Sequence, residues 1–127
     1  MTGHCYDTTV LVDLLRNRPR AVRLLRRHRR ADRATTAVTA YELALGATTA
    51  VRRRAALGLL ETLEVPPLDS HVAWVAGEVM RDLKSEGREA PFRDLLIAVV
   101  ARERGWALHT FDRGFPDIPG LDLRREA

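Results

Sequence analysis

The sequence of 127 residues predicts an α/β sandwich with a mostly parallel central sheet. Short apolar runs typical of strands alternate with longer segments in which apolar residues recur at helical spacing. The hydrophobic fraction of 46% is enough for a packed core and too high for a disordered chain. No internal repeat or low-complexity linker interrupts the pattern, so we expect residues 1–127 to form a single domain.

The first half of the chain predicts two strands and four helices. Asp7 or Thr8 is a suitable N-terminal cap for the first helix, and Pro19 starts the second. Thr39 precedes Glu42 by three residues, which is the spacing of a capping box, so the third helix should begin at Thr39. We expect strands at residues 3–7 and 33–37, and helices at residues 8–16, 19–30, 39–49 and 51–63.

The second half predicts two longer helices followed by two short strands. Asp69 or Ser70 caps an amphipathic helix, which Gly87 ends. The next helix is nearly all apolar, so we expect it at the centre of the fold, and the stretch RGFPDIPG is rich in turn formers. We expect an extended piece at residues 64–68, helices at residues 71–87 and 92–104, and strands at residues 107–110 and 121–123.

Composition limits the class of protein. The formal net charge is +4, and only Lys84 among the 21 basic residues is lysine, which is typical of a GC-rich, prokaryotic coding bias. A basic chain favours polyanionic or acidic partners. The single cysteine, Cys5, excludes an internal disulfide and a cysteine-based zinc cluster, and we expect a buried thiol. No apolar stretch approaches the roughly 20 residues of a membrane span, and MTGHCYD lacks the regions of a signal peptide, so we expect a cytoplasmic protein without membrane contact.

Four acidic residues adjoin apolar runs that should be buried: Asp7, Glu42, Asp94 and Asp112. Carboxylates that meet in a small domain repel one another and lose solvation, so their convergence calls for a function. Hard cations such as Mg²⁺ and Mn²⁺ prefer oxygen ligands. Asp7 and Asp112 each lie just beyond a predicted strand, at the edge where parallel sheets form their sites. The pattern therefore predicts metal-assisted phosphoryl chemistry, with Thr8 able to position water or phosphate.

Each acid also has a purely structural explanation. Asp7 is a suitable helix cap, Glu42 suits a capping box or a solvated face, and Asp94 suits the first turn of a helix. Asp112 suits a turn. Only the joint pattern favours a site. Other acids are expected to be solvated charges on helix faces: Asp13, Glu61, Glu78 and Asp82.

The sequence lacks the motifs of several other enzyme classes. A glycine-rich phosphate loop and a nucleophile elbow are both absent, which argues against an NTPase and a serine hydrolase. A histidine-rich zinc motif is also absent, because the four histidines are scattered along the chain: His4, His28, His71 and His109.

Four segments in order resemble the PIN-domain family, and within it the VapC-type toxins of prokaryotic toxin–antitoxin pairs. YDTTVLVDLL resembles the opening strand, Asp–Thr–Ser/Thr step and first helix, and TAVTAYELALGA resembles the Thr–x–x–Glu–Leu–x–x–Gly helix. VPPLD before a long helix resembles the middle, and RDLLIAVVARERGWALHTFDRGFPDIPGL resembles the closing stretch. The resemblance covers nearly the whole chain and implies a PIN-like α/β/α sandwich.

The resemblance also implies a Mg²⁺- or Mn²⁺-dependent RNA endonuclease. Asp7, Glu42, Asp94 and Asp112 fall on the family's acidic positions, with Asp7, Asp94 and Asp112 as the implied metal ligands and Thr8 beside the first.

The chain departs from the family at two positions. Many members have acids where this chain has Phe92 and Gly114, so the fourth ligand would rest on Asp112, with Asp117 as a weak substitute. The departures leave a second hypothesis open, a catalytically weakened PIN-fold module that binds RNA or protein.

The arginines and tryptophans suggest partners. One dense stripe follows the first helix, and Arg26, Arg27 and Arg30 within it are candidates for contacts with RNA or with an antitoxin. The alternative is a solvated face. The resemblance implies a VapB-type antitoxin, whose C-terminal segment would block the site, and a homodimer. We expect Trp74 and Trp106 in the core or in a dimer interface.

Overall fold

A computed structural model describes residues 3–127. Met1 and Thr2, the first two residues of MTGHCYD, lie outside the described residues. The strands are β1 (His4–Tyr6), β2 (Arg33–Ala34), β3 (Ala107–Thr110) and β4 (Asp122–Arg125). The helices are α1 (Thr8–Leu15), α2 (Pro19–Arg26), α3 (Ala37–Gly46), α4 (Ala50–Glu61), α5 (Ser70–Ser85) and α6 (Phe92–Glu103), with a 3-10 turn at Arg30–Asp32.

All four strands are parallel, in the order β2-β1-β3-β4. Cys5 pairs with Leu108, so β1 and β3 are neighbours and end at the same edge of the sheet. The extended piece expected after α4 contributes one isolated bridge, between Glu64 and Ala34. The prediction of a mostly parallel central sheet is confirmed.

Apolar layers cover both faces of the sheet, because successive strand side chains point to opposite faces. On one face, Cys5 and Leu108 belong to the core that includes α5 and α6. On the other face, Tyr6 packs in a core with Val10 of α1 and Leu24 of α2. The prediction of a PIN-like α/β/α sandwich is therefore confirmed.

Helix α6 is the central helix, as its apolar sequence predicts. Residues 95–101 are all buried. A helix that is apolar on every side must be covered on every side, and the sheet and α5 supply part of that cover.

The start of α3 differs from the predicted capping box. The Thr36 hydroxyl oxygen accepts a hydrogen bond of 3.1 Å from the Thr39 backbone N–H, so Thr36 is the cap and the helix begins at Ala37. The second strand is also shorter than predicted and ends at Ala34, and beyond it Thr35 donates its hydroxyl to the Tyr6 carbonyl at 2.7 Å. Glu42 is consequently a mid-helix residue whose side chain is free to contact α1.

Other boundaries shift modestly. Helix α2 ends at Arg26, four residues before the predicted end, and the last strand continues to Arg125. Trp106 is buried, as expected of a core residue, whereas Trp74 is 70% exposed, so of its two expected places only the dimer interface is left.

The Cys5 thiol is buried, as expected of an inert thiol. Burial raises the pKa of this thiol, and the negative charge of nearby Asp7 raises it further.

Among residues 3–127, no helix is both long enough and apolar enough to span a bilayer.

Candidate active site

One open cavity of about 420 Å³ lies at the carboxyl ends of β1 and β3. All four acids singled out in the sequence line it, and so does Thr8. The lining residues are Asp7, Thr8, Thr9, Val12, Asp13, Arg20, Glu42, Asp94, Ile97, Phe111 and Asp112. The carboxylates come from four separate parts of the chain, which only the tertiary fold brings together.

Asp7 is held rigidly at the base of the cavity. It is 2% exposed and caps α1, with Oδ1 accepting from the Val10 N–H at 3.2 Å and from the Thr9 hydroxyl at 2.6 Å. Oδ2 accepts from the Thr110 hydroxyl. Burial raises the pKa of Asp7, these hydrogen bonds lower it, and the charge of Asp94 raises it further. Asp7 is thus both a helix cap and a member of the cavity.

Glu42 is tied to the first turn of α1. The Thr8 hydroxyl donates to Glu42 Oε1 at 2.7 Å, and the same hydroxyl lies 3.1 Å from Thr39 Oγ1. The other carboxylate oxygen, Oε2, lies 3.8 Å from Arg93 Nη1. Thr8 and Arg93 therefore fix the direction in which Glu42 faces the cavity.

Asp94 lies in the first turn of α6 and faces the other acids. Within residues 3–127, the structure records no hydrogen bond to its carboxylate. Burial raises the pKa of Asp94, and the charges of Asp112 and Glu42 raise it further, against the opposing charge of Arg93. Burial and this repulsion, which Arg93 opposes, both favour the arrival of a cation beside Asp94.

Asp112 completes the cavity from the turn after β3. Its Oδ1 accepts from the Gly114 N–H at 2.8 Å, and its own N–H donates to Thr110 Oγ1 at 2.9 Å. Thr110 therefore contacts both Asp7 and the Asp112 backbone, and it links the two strand ends that bear the acids. Asp112 is therefore a turn residue and also a member of the cavity lining.

The donors of this cavity fit a hard divalent cation. They are carboxylate and hydroxyl oxygens, the ligand type that Mg²⁺ and Mn²⁺ prefer, and no histidine or cysteine is among them. The mutual repulsion around Asp94 is a cost that a bound dication would remove.

Two charged lining residues, Asp13 and Arg20, were not predicted from the sequence. Asp13 was assigned to a solvated helix face, but its side chain lines the cavity and pairs with Arg20 Nε at 2.7 Å. The Arg20 guanidinium also lies 4.0 Å from the centre of the Phe111 ring. The signal was present, because Asp13 follows Thr9 by four residues and so shares its helix face.

Other residues singled out earlier lie away from the cavity. Phe92 is 70% exposed, and neither Gly114 nor the exposed Asp117 lines the cavity. None of the stripe residues Arg26, Arg27 and Arg30 lines it. All three are exposed, and Arg27 pairs with Glu126 at 3.3 Å.

Comparisons with solved structures find the same fold over the whole chain. The DNA-bound VapBC from Salmonella typhimurium is 25% identical, with 98% of each chain covered and a TM-score of 0.84. VapBC-1 from nontypeable Haemophilus influenzae is 27% identical, with 96% of each covered and a TM-score of 0.80. VapBC-5 from Mycobacterium tuberculosis is 29% identical, with 98% of each covered and a TM-score of 0.65.

Among curated protein sequences no relative matched. The sequence profile of the PIN domain matches residues 5–121, a range that includes all four acids of the cavity. The chain belongs to the PIN-domain family.

Proposed function

We propose that this protein is a metal-dependent RNA endonuclease and the toxin of a VapBC-type toxin–antitoxin pair. The observation that carries the proposal is the single cavity at the sheet edge into which four separate elements place carboxylates. Membership of the PIN family and the likeness to chains of VapBC complexes support the same role.

Asp7, Asp94 and Asp112 are the proposed ligands for Mg²⁺ or Mn²⁺. Their oxygens suit either ion, and Asp94, with no hydrogen bond recorded in the described chain, is free to turn toward it. When bound, such an ion lowers the pKa of the attacking water and neutralises negative charge on the phosphate.

The chain's own residues position the substrate in this proposal. Three hydrogen bonds hold the Asp7 carboxylate in one orientation in the cavity, so the substrate meets it in a defined position. Glu42, oriented by Thr8, faces the cavity as an acceptor for a water proton. Arg20 is a basic residue of the cavity lining, and its guanidinium can donate to a phosphate oxygen of RNA.

The proposed partner is a VapB-type antitoxin that binds beside the acids. A groove of about 270 Å³ shares Val12 and Glu42 with the acidic cavity and is otherwise lined mainly by apolar side chains of α1, α3 and α4, with Arg16 and Arg52. An extended segment with apolar residues and a carboxylate would fit this groove and reach Glu42. Trp74, on the exposed surface of α5, is the proposed centre of a homodimer interface.

The second candidate function is a PIN-fold module that binds RNA or protein but cleaves weakly. The observation that favours it is the identity of Phe92 and Gly114, which stand where many members of the family have acids.

RNA turnover separates the two candidates. Purified protein is incubated with RNA in Mg²⁺ or Mn²⁺, with chelated metal as control, beside Asp7→Asn. Metal-dependent cleavage that Asp7→Asn abolishes supports the nuclease. Tight RNA binding without cleavage at any metal concentration would establish the binding module. Growth arrest on expression, relieved by a small DNA-binding protein encoded next to the gene, tests the toxin role.

A further inference from the structure

Three of the four histidines, which are far apart in the sequence, meet in the folded chain. His4 lies on β1, His28 follows α2, and His109 lies on β3. One ring nitrogen of each lies within 4.8 Å of the other two. His4 Nδ1 and His109 Nε2 are 3.0 Å apart, and the His4 and His28 rings stack with their centres 3.5 Å apart. We call these residues the histidine cluster.

The histidine cluster is separate from the acidic cavity. None of its members lines that cavity. His4 and His109 point to the opposite face of the sheet from Cys5 and Leu108, toward the layer that contains α2. The cluster and the cavity are still neighbours along the chain, since His109 directly precedes Thr110, which bonds to Asp7.

Two further side chains orient the imidazoles. His109 Nδ1 lies 2.8 Å from Glu126 Oε2, and Glu126 is itself held by Arg27 at 3.3 Å. His28 Nδ1 lies 2.7 Å from the hydroxyl of Tyr6. Metal-binding histidines commonly make such a bond with one nitrogen, which leaves the other nitrogen for the ion. In His28 the remaining nitrogen is Nε2, whereas His109 Nε2 lies within hydrogen-bond distance of His4 Nδ1, a contact that an ion between the two rings would replace.

Burial of the three rings favours the neutral imidazole, which is the form that binds metal. Burial lowers the pKa of all three histidines, and for His28 the pKa falls to about 4. An arriving cation therefore competes with few protons. His109 is buried, but His4 and His28 are partly exposed, so an ion can reach the cluster from solvent.

We propose that His4, His28 and His109 form a binding site for a borderline transition-metal dication, foremost Zn²⁺, distinct from the acidic cavity. Imidazole suits Zn²⁺, Cu²⁺ and Ni²⁺, whereas Mg²⁺ prefers oxygen. Three nitrogens leave one position of a tetrahedral shell for a further ligand.

The geometry needs two adjustments to hold the ion. Zn–N bonds of about 2.0–2.1 Å imply ligand nitrogens roughly 3.4 Å apart, so His4 Nδ1 and His109 Nε2, which are 3.0 Å apart, would exchange their hydrogen bond for the ion and separate slightly. His28 is stacked on His4, so its lone pair reaches the same point only after the ring turns about its Cβ–Cγ bond. That torsion is soft in histidine. The ion would join β1, the end of α2 and β3, and through Glu126 it would hold the C-terminal segment.

Zinc titration of tag-free protein, followed by calorimetry and by thermal unfolding, tests this proposal. Asp94→Asn is used as the background, so that the acidic cavity is weakened as a competing site. We expect one Zn²⁺ per chain and a higher Tm with Zn²⁺, which Mg²⁺ does not reproduce. His71→Gln is the matched control, because His71 is an exposed histidine outside the cluster.

The variants give distinguishable outcomes. We expect Glu126→Gln to weaken Zn²⁺ binding by about 10–100-fold and His28→Gln or His4→Gln to weaken it more. Unfolding without zinc shows whether each variant still folds. Co²⁺ added to the unaltered chain should give the intense visible bands of tetrahedral coordination. Zinc affinity that is unchanged in His4→Gln and His28→Gln, or that disappears in Asp94→Asn alone, would overturn the proposal.

Discussion

The Thr8 hydroxyl donates a hydrogen bond of 2.7 Å to Glu42 Oε1, and so joins the first turn of α1 to the middle of α3. These residues are 34 positions apart in the chain. Thr8 follows Asp7 directly, so one short segment both supplies a carboxylate to the cavity and orients another. Glu42 is therefore positioned by the residue next to its proposed catalytic partner.

Removal of this hydroxyl should impair cleavage more than stability. Thr8→Val keeps the shape of the side chain but leaves Glu42 without its donor, and a hydrogen bond to a charged group contributes about 1.5 kcal/mol or more. If that bond orients Glu42 in the transition state, cleavage falls about tenfold. Single-turnover cleavage in Mg²⁺ measures the effect. Thr62→Val, which removes a hydroxyl bonded only to the Leu59 carbonyl, is the control, and equal rates in the two variants would contradict the role of Thr8.

Asp94→Asn should abolish cleavage and raise stability in metal-free buffer. The pKa of Asp94 is raised, so its ionised form costs stability once pH exceeds that raised pKa. The variant's gain should thus be full at neutral pH and fade as pH falls toward 3.8, the ordinary pKa of the group. Urea unfolding at several pH values measures it, with the exposed Asp82→Asn as control. A gain independent of pH would show that the ionised Asp94 carboxylate is not its source.

Asp7→Asn should also abolish cleavage, with the fold retained. Asparagine keeps an oxygen that can cap α1, so the Val10 N–H stays paired. The lost charge is the one proposed to hold the metal. Circular dichroism checks the fold, and RNA cleavage in Mg²⁺ and Mn²⁺ checks activity. Cleavage equal to that of the unaltered chain would refute the metal-ligand role of Asp7.

Arg20, which lines the cavity, and the stripe arginines, which do not, should affect RNA cleavage and RNA affinity differently. We expect RNA affinity to fall steeply with salt, because each neutralised phosphate releases counterions. Arg20→Ala should lower the cleavage rate at saturating RNA and reduce the salt slope by about 0.7. Replacing Arg26, Arg27 and Arg30 should lower affinity and slope while leaving the saturated rate unchanged. Arg81→Ala, at an exposed arginine of α5 outside the stripe, is the control. An unchanged slope in the triple variant would identify the stripe as a solvated face.

Gly114→Asp should strengthen the binding of a second metal ion. A Cβ at this position would lie 3.4 Å from Asp112 Oδ1, which is ordinary contact, so the backbone can accept the change. The added carboxylate supplies negative charge beside Asp112, and cation affinity rises with ligand charge. We expect one tight Mn²⁺ in the unaltered chain and a tighter second ion in the variant, with faster cleavage at low Mg²⁺. Calorimetry with Mn²⁺ measures the affinity of each ion. Two equally tight ions in the unaltered chain would show that the absence of acids at Phe92 and Gly114 does not weaken metal binding.

The sequence was sufficient for features that depend on local pattern. The period of apolar residues placed α6 almost to the residue, and ALHT defined β3 at both ends, because burial on all sides leaves an uninterrupted apolar run. The order of acidic segments identified the four residues that later proved to share a cavity. Helix ends were less predictable, since Thr36 and Thr39 are both competent caps and only the contact of α3 with α1 favours the first.

Only the tertiary structure decided which distant side chains meet. The sequence places Asp13 on the helix face of Thr9, but its ion pair with Arg20 forms only because α1 and α2 pack together. His4, His28 and His109 looked scattered because nothing local records that β1 and β3 are parallel neighbours with the end of α2 beside them. Strand order and helix packing depend on the sum of many weak long-range contacts, which no short segment encodes by itself.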